Sequence, residues 1–162
     1  MFDTIFGLPV HPLIVHATVV FVPAAAVAVA LAAFWPRFRR HGAIAALALS
    51  VVALVLVPLS TQSGESLEHR VGESALVERH AELADGLLPF VIVLVVAAAA
   101  IWWLQRRGAQ VRVPLTAAVA VLAVIGVVGT SVQIVRIGHS GAKAAWSGVA
   151  NTPPSGGEGD GD

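Results

Sequence analysis

The sequence predicts an all-α fold: a polytopic membrane protein built as a four-transmembrane-helix bundle, with both termini outside. Three observations predict it. The 162-residue chain is 57% hydrophobic and only 12% charged, well below the roughly one-quarter charge of a soluble domain, and its mean hydropathy is +0.82. Four apolar stretches, at about 12–35, 43–60, 87–105 and 113–137, each approach the ~20 residues that cross a ~30 Å hydrocarbon core as a helix. Two short loops rich in arginine lie on one side of those stretches, and all ten acids lie on the other.

The N-terminus, Met1-Phe2-Asp3-Thr4, has no basic segment, so the first stretch reads as a retained helix rather than a cleaved signal. Pro12 suits the first turn of that helix, where a missing N–H costs nothing. Pro23 and Pro58 fall inside the first two helices and are expected to kink them. The connection after the first helix carries Arg37, Arg39 and Arg40. The one after the third carries Arg106, Arg107 and Arg112. Neither holds an acid. Short basic loops mark the cytoplasmic side, which places the long connection 60–86 outside. That connection includes a helical stretch near Ser74–Ala84, and Pro89 marks a bend where it meets the third helix. Ala24–Ala33 and Ala97–Ala100 let helices approach closely. Residues 1–150 thus form one membrane domain. Residues 151–162 form an acidic Pro/Gly/Ser tail, expected to be disordered. No internal repeat stands out.

Composition excludes several functions. There is no cysteine, hence no disulfide, Cys-ligated iron–sulfur cluster or covalently attached haem. Zero net charge argues against a nucleic-acid partner. No nucleophile–base pair, phosphate loop or nucleotide fingerprint is present, so an ordinary enzyme is disfavoured. The histidines remain. His11, His16, His69, His80 and His139 fall on the outer side and His41 on the inner. Sidedness is weak evidence, because most residues outside the apolar stretches are outer too. Depth says more. His16 lies inside an apolar run, where an idle imidazole is expensive. His80 sits roughly two turns outward of Leu87, and His139 about one turn beyond the fourth stretch. His11 and His16 are five apart and point to different faces, so they form no zinc-helix motif. Gln133, Ser131 and Thr130 suggest polar glue between helices, or alternatively a cavity or quinone contact. Trp102, Trp103 and Trp146 suggest interfacial anchors.

The stretch from Pro9 to His16 has the form Pro-x-His-Pro-x-x-Val-His. With His80 ahead of the third helix and Gly138-His139-Ser140-Gly141 ending the fourth, it resembles the bacterial four-helix membrane proteins grouped as domain of unknown function 2231. The resemblance covers about Pro9 to Trp146. It departs at Ala17-Thr18, where the family often has Phe-Pro. It implies a bacterial inner-membrane protein with four marked histidines, His11, His16, His80 and His139, and no established activity; His41 and His69 match no family position. The expected function is to hold a redox cofactor, foremost haem b, through those four histidines near the outer face, serving the quinone pool or a membrane redox complex. The alternatives are Cu or Zn bound by the same four residues, and a non-catalytic accessory subunit. Lipid is the certain neighbour, and a homo-oligomer is compatible with the composition.

Overall fold

The computed structural model describes residues 4–5, 7–71, 74–107 and 113–150. It is almost wholly helical. A minimal ribbon opens it, β1 (Thr4–Ile5) pairing antiparallel with β2 (Leu8–Pro9). Gly7 turns it with φ 79°, a left-handed conformation that glycine takes without strain. Five helices follow: α1 (Val10–Phe34), α2 (Pro36–Val71), α3 (Ala75–Asp85), α4 (Leu88–Arg107) and α5 (Val113–Ala150). Four spans, Val10–Phe34, Pro36–Glu68, Ala75–Arg107 and Val113–Gly148, are long and apolar enough to cross a membrane.

The chain runs down α1, back up α2, down α3 and α4, and up α5. α1 packs on α2 and α4 on α5. Between these hairpins α2 meets α4, α5 meets α1, and α1 and α4 touch across the middle. The core is a set of narrow buried stripes: Val22, Ala25, Val29 and Ala32 on α1, Ala46 and Ala53 on α2, Val91, Leu94 and Ala98 on α4, and Ala123 on α5. Large apolar residues such as Val20, Val27, Val55 and Val128 face outward. Lipid is as apolar as leucine, so such a bundle is held by close packing of small residues rather than by expelling water.

Two helices exceed the sequence expectation. α2 continues past Ser60 to Val71, and α5 past Ile137 to Ala150. Most of the expected outer loop 60–86 is therefore helix. Together with α3, which packs against both, the two extensions form a cap at one end of the bundle. Polar residues in this region misled the hydropathy reading, because hydropathy marks where lipid ends, not where a helix ends. The expected inner loop after α1 is likewise a single residue, Trp35. Arg39 closes that corner, donating from Nε to the Ala32 carbonyl at 2.6 Å and from its guanidinium to the Ala33 carbonyl. These are C-terminal carbonyls of α1 that have no partner within the helix. Pro36 starts α2, where proline is favoured. Both α1 and α2 run continuously through Pro23 and Pro58. The bend near Pro89 falls at Gly86–Leu87, and Pro89 itself lies in the first turn of α4. At the arginine end, Arg106 and Arg107 stack on Trp102 and Trp103, 4.6 and 4.7 Å from the ring centroids. The acidic tail, 151–162, lies outside the described residues.

Gly126 sets the α4–α5 distance. A Cβ there would lie 3.0 Å from the backbone nitrogen of Leu94 and 3.1 Å from its Cα, atoms that cannot rotate away. Gly126→Leu should therefore overpack the interface and cost about 1–3 kcal/mol, whereas Gly138→Ala, with nothing within 4 Å, should be neutral or slightly stabilising. Thermal unfolding in detergent checks both; equal melting temperatures for the two variants would contradict this packing.

Candidate functional site

The cap contains two histidines turned inward. His11, in the first turn of α1, is half-buried against α2. Its Nδ1 lies 3.1 Å from the Ser60 carbonyl oxygen and 3.1 Å from Ser63 Oγ. His80, on α3, is half-buried against α5, with Nδ1 3.0 Å from Ser140 Oγ.

Hydrogen-bond accounting assigns the tautomer of each ring. Ser63 Oγ donates its one proton to the Ser60 carbonyl at 3.0 Å, and Ser140 Oγ donates to the Ile137 carbonyl at 2.9 Å. Each hydroxyl therefore accepts from the histidine, and a carbonyl can only accept. The Ser60 carbonyl makes His11 an Nδ1–H ring whose neutral form carries a bare lone pair on Nε2, and His80 takes the same form when Ser140 gives its proton to the Ile137 carbonyl. Neither Nε2 has a hydrogen-bond partner among the described residues.

Each ring also lies over a glycine. A Cβ on Gly64 would stand 3.1 Å from Cε1 of His11, and one on Gly141 would stand 2.9 Å from Cε1 of His80. Each imidazole thus rests in a Ser-Gly cradle, Ser63-Gly64 or Ser140-Gly141. Serine fixes one nitrogen and glycine lets the ring lie close to the helix.

The other candidates point elsewhere. His16 is exposed on α1, with Nδ1 2.5 Å from the Pro12 carbonyl of its own helix. His139 is exposed on α5, next to buried Ser140. His41 is exposed, and the side chain of His69 lies outside the described residues. Of the four candidate ligands, His11 and His80 are thus half-buried in cradles on α2 and α5, and His16 and His139 are exposed. Among the described residues, no group of three His, Asp or Glu is placed to hold a metal.

Several supporting residues escaped sequence reasoning. Ser63-Gly64 and Ser140-Gly141 carried a signal only as Ser-Gly pairs, the second within the Gly138–Gly141 segment already noted, and Ser60 carried none, because hydropathy did not reveal the helix extensions that bear them. Gln133, foreseen as glue, is buried and donates from Nε2 to the Leu83 carbonyl at 2.5 Å. That carbonyl belongs to the last turn of α3. Gly86 makes room for the amide: a Cβ there would lie 2.7 Å from Nε2. Ser131 is exposed and bonds its own helix, and Thr130 Oγ1 is buried without a partner.

These features define a class: an integral helical membrane protein with a pair of oriented imidazoles in a cap at one end of its bundle. The family model DUF2231, described as a predicted membrane protein, matches residues 7–153. The chain belongs to that family. No curated protein and no solved structure matches it.

Nitrogen-15 NMR of histidine-labelled protein above the imidazole pKa range should show His11 and His80 as Nδ1–H tautomers. An Nε2–H signature for either, assigned by its loss in the His→Ala variant, would overturn the assignment.

Proposed function

We propose that this protein holds b-type haem between His11 and His80 and serves electron transfer at one face of the membrane. The observation that supports the reading is the shared state of the two rings. Both turn into the cap, and both commit Nδ1–H to oxygen acceptors. That leaves Nε2 bare, which is how metal-ligating histidines are usually oriented. The number of donors favours haem over zinc or copper. A porphyrin supplies four nitrogens and asks the protein for two axial ligands, whereas a protein zinc site takes three or four side chains. Bound haem would supply one-electron redox chemistry.

The chain's own residues do the rest. Ser63 and Ser140 set ring orientation, Gly64 and Gly141 admit the rings, and Gln133 fixes the turn that carries α3. The basic clusters at Arg37–Arg40 and Arg106–Arg107 lie at the opposite end of the helices. The positive-inside rule then turns the cap toward the outside of a bacterial inner membrane. A quinone or an outer-face redox protein would be the partner there. His16 and His139, both exposed at this end, are freed from ligand duty and are available to such a partner.

The reduced-minus-oxidised spectrum of detergent-purified protein, expressed with ample haem, tests the reading. It should show the sharp bands of six-coordinate haem b. His11→Ala and His80→Ala should abolish them, and His16→Ala and His139→Ala should leave them in place. A colourless wild-type protein would refute the proposal, and stoichiometric copper or zinc in its place would favour the metal alternative.

A further inference from the structure

The two hairpins share a pattern that their sequences conceal. On α1 the buried positions include Thr18, Val22, Ala25, Ala28, Val29 and Ala32. On α4, with the turn before it, they are Leu87, Val91, Leu94, Ala97, Ala98 and Ile101. The second set is the first displaced along the chain by one constant spacing. The same spacing carries His11 onto His80, Phe21-Val22 onto Phe90-Val91, Val27-Ala28 onto Val96-Ala97, and Arg37 onto Arg106. α2 and α5 match by a second, longer spacing that is again constant: buried Ala43, Ala46, Ser50 and Ala53 correspond to Ala123, Gly126, Thr130 and Gln133. Exposed residues correspond too, Val27 with Val96 and Ile44 with Val124.

The cradles repeat independently of that register. In each, a histidine at the start of a descending helical arm bonds through Nδ1 to the serine of a Ser-Gly pair on the following ascending helix. In each, that serine donates to the carbonyl three residues before it, and the glycine lies under Cε1. Relative to the membrane register, the cradles are out of step by about one helical turn, which returns them to the same face.

We infer that the bundle is a tandem repeat of one helical hairpin, its halves related by a two-fold axis along the bundle, and that His11 and His80 are the same residue of that repeat, gripping one ligand across the axis. Helix directions fit. α1 and α4 both descend from the cap, so the repeats are parallel and their axis runs along the membrane normal. Helix neighbours fit as well. The axis exchanges α1 with α4 and α2 with α5, so the α2–α4 and α5–α1 contacts are equivalent, and α1 meets α4 at the centre. The sequence alone shows no such repeat. Apolar residues of different size stand at matched positions (Ala25 with Leu94, Ala32 with Ile101), and only the structure shows that they occupy the same place. The ligand class follows from the axis. It must present two equivalent coordination positions on opposite sides, as haem iron does; this part rests on the haem reading, whereas the repeat itself does not.

Two measurements separate the two parts. The chain has no native cysteine, so nitroxide labels can be placed at exposed positions without background. Val27→Cys with Val124→Cys spans α1 to α5, and Val96→Cys with Ile44→Cys is the pair the axis makes equivalent. Pulsed electron–electron distances for the two pairs should coincide; a difference larger than about one helical pitch, ~5.4 Å, overturns the repeat whatever the ligand. The second measurement is hemin titration of haem-free protein. His11→Ala and His80→Ala should weaken hemin binding by the same factor, to within about threefold. One variant binding like wild type while the other fails would overturn the axial placement. Matching distances with no hemin binding by wild type would uphold the repeat and remove both the haem reading and the placement of haem on the axis.

Discussion

One buried amide holds the cap in register with the bundle. Gln133 rises from α5 within the apolar interior and gives its Nε2 proton to the carbonyl of Leu83. An unpaired buried carbonyl at the end of a helix costs about 1–3 kcal/mol, so the break between α3 and α4 is favoured where such a group is met. Gly86 clears the path and Leu87 begins the next turn. His80 lies on α3, nearly one turn before Leu83. Its approach to Ser140 therefore depends on where this amide stops the helix. α5 supplies both contacts, Gln133 to the turn and Ser140 to the ring, two turns apart on one face.

The orientation of the site thus comes from helices that extend beyond the lipid. α2 and α5 each continue past the apolar stretch, and their first polar turns carry the serines and glycines that receive the rings. A loop in their place would leave the imidazoles free to turn. As helix, each Ser hydroxyl is tied back to its own backbone and has only acceptor capacity left. The tautomer of a histidine on one helix is in this way coupled to a backbone bond on another.

The four spans, their order and the acid-free basic loops at one end were legible in the sequence, because each is a matter of composition over many residues. His11 and His80 were legible as candidates, but no feature of the sequence separated them from His16 and His139. Depth pointed to His16, which the structure leaves exposed with its ring on the Pro12 carbonyl. Depth fixes how far along the membrane normal a residue sits, while the helix face it occupies decides what it meets. In α1 the buried stripe passes through Thr18 and Val22, and His16 falls off it. The repeat was hidden for a related reason. Packing conserves burial and volume across an interface, and alanine in one half can be offset by leucine in the other without any shared identity.

Symmetry also explains why the candidate site reduces to two donors. An axis supplies ligands in equivalent pairs, so each histidine is tested by what stands at its counterpart. His11 meets His80. His16 corresponds to Asp85, and both are exposed; His139 precedes Ser140 in its cradle as Gln62 precedes Ser63, and both of these are exposed too. Of the four candidates, only one pair survives exchange of the halves with its chemistry intact. That pair alone has Ser-Gly cradles on both sides. On the proposed reading, two rings facing a common axis with bare Nε2 atoms would leave a ligand's remaining coordination to the ligand itself, and a macrocycle that brings four nitrogens of its own would meet that condition. A tetrahedral ion would need a second pair of donors related by the same axis, and the described residues place none beside the first.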